Sequence, residues 1–114
     1  MPTWRDWLLL ARIHSAAATW AIVVIGFVLG GGQLFSWEVF PWIGVALGFH
    51  LAGFAQNSLH DREFDKRDPG KKHFPLVTGA LNVDHAALFV MAGTALFCVL
   101  AGWLVAGNPL ALAI

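Results

Sequence analysis

A chain of 114 residues is long enough for one small domain. Its apolar share of 58%, its charged share of 12%, roughly half the usual value, and a mean hydropathy of +0.67 exclude an ordinary soluble domain. Seven basic residues balance seven acidic ones, so net charge indicates no partner and only its distribution is informative.

Ile13 to Trp37, Val39 to His60 and the segment from His85 to the C-terminus contain no Asp, Glu, Lys or Arg. Each is long enough for the roughly 20 residues that cross a bilayer. The expected class is all-α: a multi-pass transmembrane helical bundle of three helices over about 13–32, 41–64 and 84–106, in one domain covering 1–114. Met1 to Arg12 is a short amphipathic lead-in, read chiefly as an interfacial anchor with a substrate-binding role as the alternative. Its Trp4 and Trp7 suit the headgroup level, where an indole keeps its N–H wet. The first helix follows from Ile13 and ends at Gly30-Gly31-Gly32. Its apolar run exceeds the roughly 7–15 residues of a signal-peptide core and no small-x-small cleavage site follows, so it reads as a retained helix. Gly26 and Gly30 form a GxxxG pair that allows close helix packing, and His14 is placed to hydrogen-bond a neighbouring helix or, as the less favoured reading, to approach a ligand.

Gln33 to Trp42 is a turn with aromatic anchors. Pro41 suits the first turn of the second helix, and Gly44 and Gly48 form another GxxxG pair. Polar residues gather toward the end of this helix: His50, Gln56, Asn57, Ser58 and His60. Polar side chains at membrane depth are costly and face a bundle interior or a wet cavity. They lead into the one strongly charged stretch, Asn57 to Gly79, which holds five of the seven basic and four of the seven acidic residues. Asp68-Pro69-Gly70 breaks the helix, and a loop over about 61–82 leads to Asn82 or Asp84 as the N-cap of the third helix. Asn108-Pro109 breaks that helix, and Leu110 to Ile114 begin a further element.

Every Lys and Arg lies either before the first span (Arg5, Arg12) or between the second and third. The positive-inside bias places the N-terminus and the 61–82 loop in the cytoplasm. The lone Cys98 allows no intrachain disulfide.

Asn57, Asp61 and Asp65 are four apart, so on a helix they form one stripe drifting about 40° per step. Carboxylates so aligned repel unless a cation lies between them. Mg²⁺ prefers oxygen ligands and is often shared with substrate phosphates, which the following basic run could grip. On residue types alone the stretch reads equally as a solvated membrane loop of mixed charge. Zinc would need His and Cys at defined spacing, whereas the five His are scattered and the single Cys is mid-membrane. No GxxxxGK[ST] loop occurs, and the basic cluster is too short and too mixed with acids for nucleic acid.

The stretch resembles the first acidic motif of the UbiA-type intramembrane prenyltransferases, Asn-Asp-x-x-Asp-x-x-x-Asp, followed after a basic loop by Arg-Pro-Leu-x-x-Gly. Asn57, Asp61, Asp65, Pro75, Leu76 and Gly79 match. Ser58 stands where the family usually has Asp, and Phe74 where it usually has Arg. The resemblance extends more loosely from LARIHSA to VDHAALF and covers the N-terminal third of a bundle of about nine helices. It implies Mg²⁺-dependent prenyl transfer from an isoprenyl diphosphate to an acceptor within the bilayer. Asn57, Asp61 and Asp65 would hold metal, with Asp61 and Asp65 catalytic, and Lys71, Lys72 and His73 would contact diphosphate. It further implies a second acidic motif, from a missing C-terminal part or a second chain, without which this chain is expected to be inactive. The competing expectation is a small non-catalytic membrane protein that packs with a partner through its Gly-x-x-x-Gly faces and its charged loop.

Overall fold

The computed structural model describes residues 1–107, so the expected break at Asn108-Pro109 and the segment 110–114 lie outside the described residues. All regular structure in the described residues is helical: α1 (Trp4–Leu10), a 3-10 turn (Ile13–Ser15), α2 (Ala16–Leu29), α3 (Val39–His60), α4 (Arg62–Asp65), a second 3-10 turn (Pro69–Lys71), α5 (Pro75–Thr78) and α6 (Val83–Gly107). The longest dimension is 46 Å, comparable with the roughly 40–45 Å of a bilayer including its headgroups. α3 and α6 are each long and apolar enough to span a membrane. α1 and the helical stretch Ile13–Leu29 form a third span only as a pair, bent by 49°.

α3 is the central helix, packed against both α2 and α6. Its contact with α6 is set by two glycines. A Cβ on Gly48 would lie 2.6 Å from Phe97 N and 2.8 Å from Gly93 O, and one on Gly93 would lie 2.8 Å from Ala52 N. The two backbones therefore meet where neither carries a side chain, as small residues permit in bilayers. Of the two GxxxG pairs, only Gly44/Gly48 packs against another helix. A Cβ on Gly26 would meet nothing within 4 Å, and Gly30 approaches only the carbonyls of its own helix.

The apolar core lies at the charged-loop end. Leu10, Ala55, Leu76, Leu81 and Ala86 are buried there, flanked by Trp7, Leu59, Phe89 and Val90, which joins α1, α3, α5 and α6. Toward the other end Ile22, Leu29, Met91, Val99 and Trp103 are exposed, as lipid contact requires. Trp7 is half-buried: it stacks on Phe89 at 5.5 Å and meets His85 edge-on at 5.8 Å. Trp4 remains exposed.

The bend between α1 and α2 is centred on Arg12, whose φ of 47° and ψ of 45° are left-handed. A non-glycine residue there costs roughly 1–2 kcal/mol. The Arg12 carbonyl is held there by the Ser15 N–H and hydroxyl, each at 2.8 Å, and by the fully buried His50 of α3. Its Nε2 lies 3.3 Å from the Arg12 carbonyl and its Nδ1 3.0 Å from the Thr19 hydroxyl. A carbonyl only accepts, so Nε2 donates to Arg12 and Nδ1 is left to accept from Thr19. The interhelical bond expected of His14 is thus made by His50, while His14 is exposed.

Gly48→Ala and Gly93→Ala are each expected to destabilise the chain by about 1–3 kcal/mol through overpacking. Gly26→Ala is expected to be neutral or to gain up to about 1 kcal/mol from lower unfolded-chain entropy. Thermal unfolding in detergent checks the order; equal midpoints for Gly48→Ala and Gly26→Ala would refute the glycine contact.

Candidate functional site

The acidic stripe lies on a helical path that survives the end of α3. The Asp61 N–H donates to Asn57 O at 2.9 Å and the Asp65 N–H to Asp61 O at 2.8 Å, so the ladder runs through the bend at Asp61 into α4. The three side chains nevertheless meet different surroundings. Asn57 and Asp61 are exposed, one turn apart, and neither side chain has a hydrogen bond among the described residues. Asp65 is turned inward at 5% exposure, and Lys71 Nζ donates to its Oδ1 at 2.6 Å. Ser58 is also buried, and both border a small cleft with Leu10, Phe74 and Pro75. A carboxylate at position 58 would be buried close to Asp65, with Lys71 already engaged.

The loop that delivers Lys71 is itself folded. The Asp68 carboxylate accepts from the Gly70 N–H at 2.8 Å and turns the chain at Pro69. Phe74 is extended, as the residue before a proline prefers to be, and Pro75 opens α5. Gly79 closes α5 with φ 80°, a left-handed conformation that glycine adopts without strain. Pro75, Leu76 and Leu81 are buried in the core, and the Asn82 side chain caps α6 by accepting from the His85 N–H at 2.8 Å. The segment expected as a plain loop therefore carries two short helices and a 3-10 turn. Its Pro-Leu-x-x-Gly element is a structural anchor.

The other expected diphosphate ligands divide. Lys71 is held by Asp65, whereas Lys72 and His73 are exposed, and His73 stacks on Phe74 at 4.8 Å. A surface cavity of about 450 Å³ opens beside α5, lined by Arg62, Lys66, Thr78, Gly79 and Asn82 among others. Arg62 and Lys66 both reach Glu63, at 2.9 and 2.8 Å. Lys66 first, then Arg62, holds the Glu63 carboxyl below its ordinary value of 4.5. The stabilisation from a lowered carboxyl is present above that value and is lost as pH falls through the lower folded one, and it is small for so exposed a group. Among the described residues, no group of three or more His, Cys, Asp or Glu is assembled to hold a metal.

Arg12 belongs to the lead-in expected chiefly as an interfacial anchor, and the fold brings it beside Phe74. Its guanidinium lies 5.6 Å from the Phe74 ring centre and 5.7 Å from that of Phe54. The depth of His50 in the second span was a legible signal. The meeting of positions 12, 54 and 74 had none, because it depends on the bend after α1.

Removing one partner of the Asp65–Lys71 pair leaves a poorly hydrated charge, so Asp65→Asn and Lys71→Met are each expected to cost about 2 kcal/mol. Glu63→Gln should leave stability close to the parent's, because the pair is exposed. Chemical denaturation in mild detergent checks both; equal effects at positions 63 and 65 would contradict the buried pair.

A comparison with protein-family models matches residues 19–114 to the UbiA prenyltransferase family. No individual curated protein and no solved structure matched. The matched span contains the whole stripe and the folded loop, and covers well over half of the chain. The chain belongs to the UbiA prenyltransferase family.

Proposed function

We propose that this chain supplies the first acidic half of an intramembrane prenyl-transfer site that takes an isoprenyl diphosphate and a prenyl acceptor, with the 61–82 loop on the cytoplasmic face. The observation that carries the reading is the pair of backbone hydrogen bonds, from Asp61 N–H to Asn57 O and from Asp65 N–H to Asp61 O, that keeps the three positions in helical register. It presents Asn57 and Asp61 side by side at the surface, in a chain of this family.

The donor set fits a hard cation in part. Asn57 and Asp61 offer oxygen ligands without competing hydrogen bonds among the described residues, the kind of donor Mg²⁺ prefers. Asp65 completes the set once its ion pair with Lys71 opens, and Lys71 is then released toward the diphosphate oxygens alongside Lys72 and His73. Magnesium, when bound, supplies neutralisation of the charge that develops on the leaving diphosphate. This chain's own residues bind and orient the diphosphate at the membrane surface. Three oxygen-bearing side chains fall short of the octahedral set that Mg²⁺ demands. The remaining ligands come from the substrate and from a second acidic element, in a further part of the protein or in a second chain, so the isolated chain is expected to bind without turning over.

Isothermal titration of the chain in detergent, with a non-hydrolysable prenyl diphosphate analogue and with or without Mg²⁺, tests the assignment. Binding should require Mg²⁺ and should weaken at least tenfold in Asp61→Ala and in Asp65→Ala. Magnesium-independent binding, or full affinity in both variants, would overturn the metal ligands. Absence of any binding by the parent chain would favour a non-catalytic membrane protein whose charged loop docks a partner.

A further inference from the structure

The end of the helices remote from the charged loop has a chemistry of its own. Two cavities open there, of about 590 and 610 Å³, and Phe27, Glu38 and Trp42 line both. The first is floored by Gly26 and Gly30, the GxxxG pair that meets no other helix, and the second is bordered by Trp103 and Leu104 of α6. A Cβ on Gly26 would meet nothing within 4 Å, so the missing side chain leaves open space. A Cβ on Gly32 would run into the Phe27 ring, so the chain folds back over that ring and holds it as a wall. The Trp42 ring is centred 6.3 Å away, tilted by 43°.

The charge at this end is negative and has no cation from the chain itself. Glu38 joins no ion pair among the described residues, and no Lys or Arg stands between Arg12 and Arg62 or after Lys72. Glu38 precedes α3, whose N-terminal dipole balances about half an elementary charge, and its side chain makes no capping bond. The C-terminal ends of α2 and α6 border the same two cavities through Gly30 and Gly107. Neither helix has a basic residue in its last turn, so each adds about half a negative charge. Aromatic faces beside such a field attract a cation further.

The surroundings decide which cation fits. A metal ion needs several oxygen ligands, and among the described residues no group of three or more His, Cys, Asp or Glu is assembled. An ammonium needs one carboxylate, ring faces and acceptors for its N–H donors. Trp42 and Trp103 are exposed, and indole rings at a helix end suit the headgroup depth of a bilayer. Pro41 and Leu104 extend the lining as an apolar surface.

We infer that this end of the chain binds the headgroup of an amine-bearing phospholipid, with its ammonium against Glu38 beside the Phe27 and Trp42 rings. The phosphate faces outward into the headgroup layer. The inference is independent of the prenyl-diphosphate reading, because none of its residues belongs to the acidic stripe or the basic loop.

Native mass spectrometry of the delipidated chain in detergent provides the test, with phosphatidylethanolamine and phosphatidylglycerol of identical acyl chains as probes. The parent chain should bind the ethanolamine lipid about tenfold more tightly, through a charge-assisted contact that the glycerol lipid cannot make. Glu38→Gln keeps the side-chain shape and removes no capping bond, and it should abolish the preference. Gly26→Leu fills the cavity floor without changing charge and should weaken the ethanolamine lipid about fivefold or more. In the unmutated chain, a carbodiimide should couple Glu38 to the headgroup amine in preference to the exposed Asp84 at the other end of α6, as mapped by peptide mass spectrometry. Equal affinity of the parent for the two lipids, a Glu38→Gln chain that still prefers ethanolamine, or equal coupling at Asp84 and Glu38 would each overturn the inference. A lipid-free dimer of the parent that Gly26→Leu dissociates would identify the cavity as an interface between copies and overturn it too.

Discussion

The close approach of α3 and α6 at Gly48 and Gly93 is the constraint on which the rest depends. In lipid there is no hydrophobic drive to bring helices together, so association relies on tight van der Waals contact. Two backbones that meet without intervening side chains provide it. With α6 fixed along α3, Leu81 and Ala86 reach the same core as Ala55, and Leu10 and Leu76 close it from α1 and α5. The charged loop is thereby anchored at both ends, and a lysine from it is held against a buried carboxylate on α4. The polar end of the molecule is ordered because its apolar underside is packed.

The second organising feature is the bend between α1 and α2. A straight helix through Arg12 would carry α1 away from α5 and α6, and Trp7 would lose its stack on Phe89. The left-handed residue and the buried histidine that binds its carbonyl redirect the chain instead. One consequence is structural, since α1 covers the loop-end core. Another is chemical, since the same bend brings a guanidinium from the first helix between a ring of the second and a ring of the loop. Positions far apart in the chain thus become neighbours beside the basic segment.

The acidic stripe shows how register and environment differ as sources of information. Four-residue spacing correctly placed Asn57, Asp61 and Asp65 on one helical path, because hydrogen-bond periodicity is local and persisted through the bend at Asp61. Spacing carried nothing about burial, which depends on what packs against each turn. α5 and the Phe74–Pro75 corner cover Asp65 and Ser58, while Asn57 and Asp61 stay exposed. The same distinction separates the two GxxxG pairs. They are identical as patterns, yet Gly44/Gly48 faces a partner helix and Gly26/Gly30 does not.

The amino-acid sequence by itself determined the membrane class, the helical architecture, the ends of α2 and α3 to within a few residues, and the family through the paired acidic and Pro-Leu-x-x-Gly elements. These are properties of composition, local periodicity and fixed spacing, all readable without knowing which segments touch. Only the tertiary structure decided that Asp65 pairs with Lys71, that His50 rather than His14 bridges helices, that Trp7 packs on Phe89, and that Arg12 meets Phe74. Each of those outcomes depends on contacts between segments distant along the chain. Such contacts are fixed by the angle of one bend and the closeness of one helix pair, and no local pattern encodes either.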